Sequence, residues 1–168
     1  MPRAEDLIAA LRLQPLPLEG GYYCETYRSP LSLPAAALPK RFGTDKSAAT
    51  AIYYLLTPDT FSALHRLPGD GIFHFYAGSA IEMLLLLPDG AGRVIELGSD
   101  VLAGQHPQVV VPAGAWQGSR LKSGGDFALL GTTMAPGFDF ADYEPGNRDR
   151  LTAQYPAFSD LIQRLTRD

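Results

Sequence analysis

Ser62-Ala63-Leu64-His65-Arg66-Leu67-Pro68-Gly69-Asp70-Gly71-Ile72-Phe73-His74-Phe75-Tyr76-Ala77-Gly78 consists of two apolar runs parted by a Pro-Gly-Asp triplet. Each run is too short for an ordinary helix, and the triplet is turn chemistry: proline presets φ, glycine reaches positive φ, and aspartate bonds to its own backbone. The stretch therefore reads as two strands joined by a turn. The same grammar extends outward through residues 50–56, 62–66, 71–77, 81–87, 93–97, 108–111 and 127–134. Between them stand Thr57-Pro58-Asp59, Ala77-Gly78-Ser79, Pro88-Asp89-Gly90, Gly98-Ser99-Asp100 and Ser123-Gly124-Gly125. Short runs at this spacing leave no room for helices between strands, so the chain is expected to be all-β, and a jelly-roll β-barrel fits best.

The flanks differ. Residues 4–12 put Leu7, Ile8 and Leu11 on one helical face, with Glu5 and Asp6 near the positive end of the helix dipole. Pro15 and Pro17 stop that helix, and Gly20-Gly21 leads into a strand over 22–28. Residues 30–46 hold no sustained period and read as a long surface excursion. Residues 136–147 have no strand pattern, and Phe158, Leu161, Ile162 and Leu165 then mark a second amphipathic helix after Pro156. No repeat appears, and one domain over 1–168 is expected.

Composition excludes several classes. The chain is 46% hydrophobic and 19% charged with net charge −4, and its longest basic run is Lys40-Arg41, so nucleic acid is not an expected partner. The start carries acids where a leader needs a basic and then an apolar run, and the longest strictly apolar stretch, 83–88, is far too short to cross a bilayer. A cytoplasmic protein with no membrane partner is expected. Cys24 is alone and reads as a small strand residue.

Two segments carry a further pattern: 62–78, quoted above, and Gly104-Gln105-His106-Pro107-Gln108-Val109-Val110-Val111-Pro112-Ala113-Gly114-Ala115-Trp116-Gln117. Together they resemble the paired motifs of the cupin superfamily: a His-x-His, a Glu and a Gly, followed on a later hairpin by Gly, Pro-x-Gly and a His. More narrowly, the chain resembles an uncharacterised cupin branch of unknown function. The resemblance rests on Glu19-Gly20-Gly21-Tyr22-Tyr23, Glu25-Thr26-Tyr27-Arg28-Ser29, Leu64-His65-Arg66, His74-Phe75-Tyr76-Ala77-Gly78, Pro107-Gln108, Val110-Val111-Pro112-Ala113-Gly114 and Ala135-Pro136-Gly137-Phe138. It implies a cupin jelly-roll β-barrel with short N- and C-terminal helices, a small-molecule pocket in the barrel and commonly a homodimer. It implies no established reaction, although sugar-nucleotide epimerases share the architecture.

In metal-bearing cupins three imidazoles and a carboxylate hold the ion. The matching positions here are Ala63, His65, Gly71 and Gln117, so one conventional ligand of four remains. Ala and Gly cannot coordinate through a side chain, and an amide is a poor ligand for transition metals. No cofactor is expected, and a divalent metal is disfavoured. Relatives of the narrower branch carry Glu at the Gly71 position, so a possible catalytic acid is missing as well.

The candidate catalytic residues are His74 and His65, whose imidazoles titrate near neutral pH when unperturbed and can move protons at a carbonyl. Candidate substrate-binding residues are Tyr76, Gln117, Trp116, Tyr54 and Ile72. Strand alternation groups Ile72, His74 and Tyr76 on one face and Phe73 and Phe75 on the other. The His74 face is expected to line the pocket, because an imidazole in a purely apolar layer lacks partners. Gln117 can donate and accept, Trp116 offers a stacking surface, and one of Tyr53 and Tyr54 points inward. Arg66 should face away from His65, and His106 reads as a surface residue. Glu25 and Arg28, three apart in a strand, are expected on opposite faces as pairing or dimer residues. Glu82 is either on a solvent face or a buried carboxylate. The function expected is a small-molecule-binding cupin, as a metal-independent epimerase or isomerase-like enzyme on a sugar-like or carbonyl substrate. The alternatives are a non-catalytic metabolite-binding module and, less favoured, a metal-dependent enzyme.

Overall fold

A six-stranded and a five-stranded antiparallel sheet pack face to face and enclose the barrel interior. The computed structural model describes residues 3–167; Met1, Pro2 and Asp168, the ends of the 1–168 span, lie outside the described residues. Helix α1 (Ala4–Ala10) precedes β1 (Gln14–Pro15), β2 (Tyr22–Arg28) and the small hairpin of β3 (Ser32–Leu33) and β4 (Lys46–Ser47). Then follow β5 (Thr50–Leu56), β6 (Phe61–Arg66), β7 (Gly71–Gly78), β8 (Ile81–Leu86), β9 (Gly92–Leu97), β10 (Gln108–Val111), β11 (Trp116–Leu121) and β12 (Ala128–Met134). The chain closes with β13 (Glu144–Pro145), α2 (Arg148–Gln154) and α3 (Ser159–Arg164). The sheet orders are β1-β2-β5-β12-β7-β10 and β13-β6-β11-β8-β9. These runs form strands because β-branched, aromatic and leucine side chains alternate between two packed surfaces while turn residues break each run.

Between the sheets, Tyr54, Leu56, Phe73, Met83, Leu85 and Leu130 form the main core. On the outer face of the six-stranded sheet, Leu7 and Ile8 of α1 and Leu11 just after it pack against Leu55, Leu129 and Tyr53. On the outer face of the five-stranded sheet, Leu64, Leu84, Leu86 and Trp116 are covered by Leu151, Ile162 and Leu165 of the C-terminal segment. No described helix is long and apolar enough to cross a membrane.

Two flanks depart from expectation. The 30–46 excursion is ordered: Phe42 anchors it in the interior, and buried Lys46 lies 2.8 Å from Asp142 and 3.5 Å from Asp139. The C-terminal part holds two short helices rather than one. Asn147 caps α2 by accepting from the Arg150 N–H, a signal hidden in a stretch whose apolar period is carried by Leu151 alone.

Candidate functional site

A cavity of about 240 Å³ lies between the sheets at one end of the barrel. Register fixes its wall on the six-stranded sheet. Arg28, Thr50, Met134 and Gly71 form one cross-strand row, and Ile52, Thr132 and Phe73 form the next. His65 and Gln117, directly paired between β6 and β11, supply the facing wall. Leu16, Glu19, Tyr23, Leu67, Phe138 and Phe140 complete it.

Local irregularities place the polar groups. A bulge in the β6–β11 ladder leaves Ala63 without a β11 partner, and the Ala63 carbonyl stands 2.8 Å from His65 Nδ1. With Nδ1–H donating to that carbonyl, the ring tautomer is fixed and Nε2 is left for chemistry. Nε2 lies 3.8 Å from Glu19 Oε2, and Tyr143 stacks on the His65 ring with centroids 4.8 Å apart. Glu19 accepts from the Ser62 hydroxyl at 2.6 Å, and its own carbonyl accepts from the Ala63 N–H at 2.9 Å. The turn that presents Glu19 needs glycines. Gly20 and Gly21 have φ of 99° and 72°, and a Cβ on Gly20 would stand 2.5 Å from the Phe61 carbonyl.

Tyr54, on the cavity wall that faces His65, is 1% exposed and donates to the Gly20 carbonyl at 2.8 Å. Burial, and then the nearby Glu19 charge, push the Tyr54 phenol well above its ordinary pKa. The Tyr143 phenol is raised for the same two reasons in the same order. Gln117 is 4% exposed, and among the described residues its side-chain amide has no hydrogen-bond partner. The Thr132 hydroxyl on the opposite wall is also buried without a partner. Unpaired buried polar groups are costly unless something satisfies them, and these two face the same cavity.

At the mouth, a bulge between Glu25 and Tyr27 corrects the expectation that Glu25 and Arg28 face opposite ways. The inserted residue shifts the alternation, so Arg28 binds Glu25 through two bonds of 3.0 and 2.7 Å, and both residues line the cavity. Arg28 also donates to the Phe138 carbonyl at 3.1 Å, tying down the segment that carries Phe138 and Phe140. That side-chain pair holds the Arg28 guanidinium pKa above its ordinary value.

The sequence matches the family model described as Cupin superfamily (DUF985) over residues 5–145. The chain belongs to this family. It is 33% identical over 134 residues to the uncharacterized protein YML079W of Saccharomyces cerevisiae, covering 74% of this chain and 66% of that protein's length. A hypothetical protein from Leishmania major shares 31% identity and superposes with a TM-score of 0.89 over 99% of this chain and 100% of that one. A protein of Shewanella oneidensis shares 35% identity with a TM-score of 0.85 over 99% of both chains.

Within this cupin, His65, Gln117 and Tyr54 come together at the cavity, whereas His74, Tyr76, Ile72 and Trp116 do not. The expectation that the Ile72, His74 and Tyr76 face lines the pocket is corrected: Gly71 and Phe73 point inward, and the His74 face is the outer surface of the sheet. The outer surface is not apolar around His74, so its ring finds partners there. Thr133 Oγ1 lies 3.2 Å from its Nε2 and Gln108 Nε2 lies 3.3 Å from its Nδ1. Trp116 alternates away from Gln117 and packs under the C-terminal helices, with the Arg66 guanidinium 4.7 Å from its ring centre. Arg66 faces away from His65 and pairs with Glu144 at 2.7 Å, and Glu82 is a partly exposed partner of Arg120 at 2.9 Å.

Glu19, Phe138, Phe140 and Tyr143 were not singled out as site residues. They sit in turns and irregular segments, where no periodicity tells which way a side chain points.

The donor set does not fit the divalent ion that other cupins hold. Of the four matching positions, Ala63 is absorbed in the bulge, Gly71 has no side chain, Gln117 is a neutral amide, and only His65 offers a conventional donor. Among the described residues no group of three or more His, Cys, Asp and Glu side chains is arranged to hold a metal.

Proposed function

We propose that this cupin binds a small neutral carbonyl compound, sugar-like or planar, in its barrel and moves a proton on it without a metal, in an isomerase-like reaction. The observation that carries this reading is the Gln117 amide, 4% exposed, unpartnered, and paired in register with His65 on the cavity wall. An amide can hold a carbonyl or hydroxyl in place. Beside it, His65 is the base and Glu19 its proton partner, and a carbonyl held by Gln117 develops enolate charge where a donor already stands. Tyr54, a phenol lining the same cavity, is the acid, and Tyr143 stacks on the His65 ring.

The test uses a panel of small neutral carbonyl compounds, with benzamide as a binding-only member, by ligand-detected NMR, followed by mass spectrometry for solvent deuterium at the carbon next to the carbonyl. Binding with exchange is expected in the wild type, exchange lost in His65→Gln, and binding weakened about tenfold in Gln117→Leu. Binding with no exchange would favour the non-catalytic module, which the missing carboxylate at Gly71 supports. No binding by any member overturns both.

The homodimer is proposed to form on the outer face of the six-stranded sheet, where Tyr76 and Val110 are exposed, Tyr76 at 51%. Sedimentation at micromolar concentration should give a dimer, and Tyr76→Glu a monomer; a monomeric wild type sinks this proposal.

A further inference from the structure

Gly71 begins β7 and is buried in the cavity wall between Met134 and Val111 of the neighbouring strands. A glycine inside a strand weakens it, because the backbone loses more freedom on folding and no side chain packs. Such a residue persists for a reason, and three reasons can be tested against the geometry. Positive φ is not one, since Gly71 lies outside the left-handed region. Close approach of another chain segment is not one, since a Cβ built on Gly71 meets nothing within 4 Å. Gly118 and Gly131 show the contrast: a Cβ on either would stand 3.0 Å or less from Leu64 or Tyr76. A bulge is not one either, because the register is regular from Gly71 to His74 against both β10 and β12. What remains is space. Gly71 shares the inner face with Phe73, so the room beside its α-carbon is part of the cavity.

The chemistry around this notch limits what fills it. Of the charged groups that reach the cavity, Arg28 is paired with Glu25, and Glu19 accepts from the Ser62 hydroxyl with the His65 ring 3.8 Å away. The unsatisfied groups are the neutral Gln117 amide and Thr132 hydroxyl. Tyr23, Phe73, Phe138 and Phe140 supply flat apolar walls.

We propose that Gly71 is the specificity-determining position of the cavity, and that the notch beside it takes the flat, uncharged body of a neutral amide or carbonyl compound whose polar group is held by Gln117. The inference rests on the reading of the cavity as a binding site for neutral carbonyl compounds. The ring enters where Gly71 leaves room, and the Gln117 amide holds a neutral polar group without a counter-charge. A larger side chain at 71 closes the notch without disturbing the sheet.

The experiment measures benzamide and acetamide binding by ligand-detected NMR on the full chain, for wild type, Gly71→Ala and Gly71→Val, with thermal unfolding of each. Both variants should unfold at or above the wild-type temperature, since a side chain is added to a strand with space for it. Gly71→Val should weaken benzamide about tenfold or more while leaving acetamide, which has no ring, within about twofold. Equal benzamide affinity in wild type and Gly71→Val overturns the notch, as does an equal fall for both probes. A drop in unfolding temperature for Gly71→Ala also overturns it, because the space would then not be empty. Failure of the wild type to bind benzamide or any other member of the carbonyl panel instead removes the binding reading itself.

Discussion

His65 and His74 lie on consecutive strands and belong to similar short strings, yet they live in different environments. His65 is 2% exposed, with Nδ1 on the Ala63 carbonyl, Nε2 toward Glu19 and Tyr143 stacked on its ring. His74 is half-buried on the outer surface, between Thr133 and Gln108 and parallel to Tyr76 at 6.4 Å. Both rings are hydrogen-bonded, so satisfaction alone does not mark a functional histidine. What separates them is that the partners of His65 are at least partly buried and include a carboxylate, while those of His74 are neutral groups at a wetter surface. A proton held in the first setting has somewhere to go; in the second the ring is a component of the sheet surface.

The sharpest way to break this contrast is to truncate each ring. His65→Ala removes a buried ring, its bond to Ala63 and the partner facing Glu19, and should cost about 3 kcal/mol. At roughly 2–4 °C per kcal/mol for a chain of this size, the unfolding temperature should fall by about 6–12 °C. His74→Ala should cost about 1 kcal/mol or less, since water can reach Thr133 and Gln108. Chemical denaturation of the two variants checks the ratio, and equal losses would mean that the two settings are energetically alike.

Much of this was legible. Turn triplets and apolar runs mark the strands from β5 to β12, and the motif strings lead to the barrel and to the positions of His65, Gln117 and Gly71. Alternation was reliable for Arg66 against His65, whereas Trp116 and Gln117, both expected at the pocket, alternate, so that only Gln117 reaches it. It failed at Glu25 and Arg28, where a bulge turns the next residues over. For β7 the period separated two faces correctly but could not say which is inner; that depends on what the neighbouring strands offer, namely Thr133 and Gln108 outside and an aromatic layer inside. Glu19 and Tyr143 were illegible for another reason. Their positions follow from chain reversals at Gly20-Gly21 and around 136–145, and long-range packing rather than local pattern brings them to His65.

Tyr54, on the cavity wall facing His65, sharpens the comparison. Tyr54→Phe keeps the ring and removes the bond to Gly20, which should cost about 1 kcal/mol at neutral pH. The pH dependence has a definite sign. Folding raises the phenol's pKa, mainly through burial, so the folded state holds that proton more tightly than the unfolded chain. The associated stability is complete below the unfolded value of about 10 and is lost as pH rises beyond it. Wild type should therefore lose stability more steeply than Tyr54→Phe above about pH 10, and the gap between them should close; parallel curves in alkaline unfolding would contradict the buried phenol.

The smallest effect is expected at Tyr143, stacked on the same imidazole. Its hydroxyl is buried with no hydrogen-bond partner among the described residues, whereas the Tyr54 hydroxyl has one. Removing an unsatisfied group relieves its desolvation and leaves the ring stacked on His65, so Tyr143→Phe should fall within about 0.5 kcal/mol of wild type or be slightly more stable. Equilibrium denaturation decides it, and a loss above about 1 kcal/mol would mean that the hydroxyl holds a bond in solution. The same variant separates structure from chemistry. If the phenol serves the reaction through the His65 ring on which it stacks, deuterium exchange into a bound carbonyl compound falls in Tyr143→Phe while stability does not, and an unused polar group in the fold then has its use in the reaction.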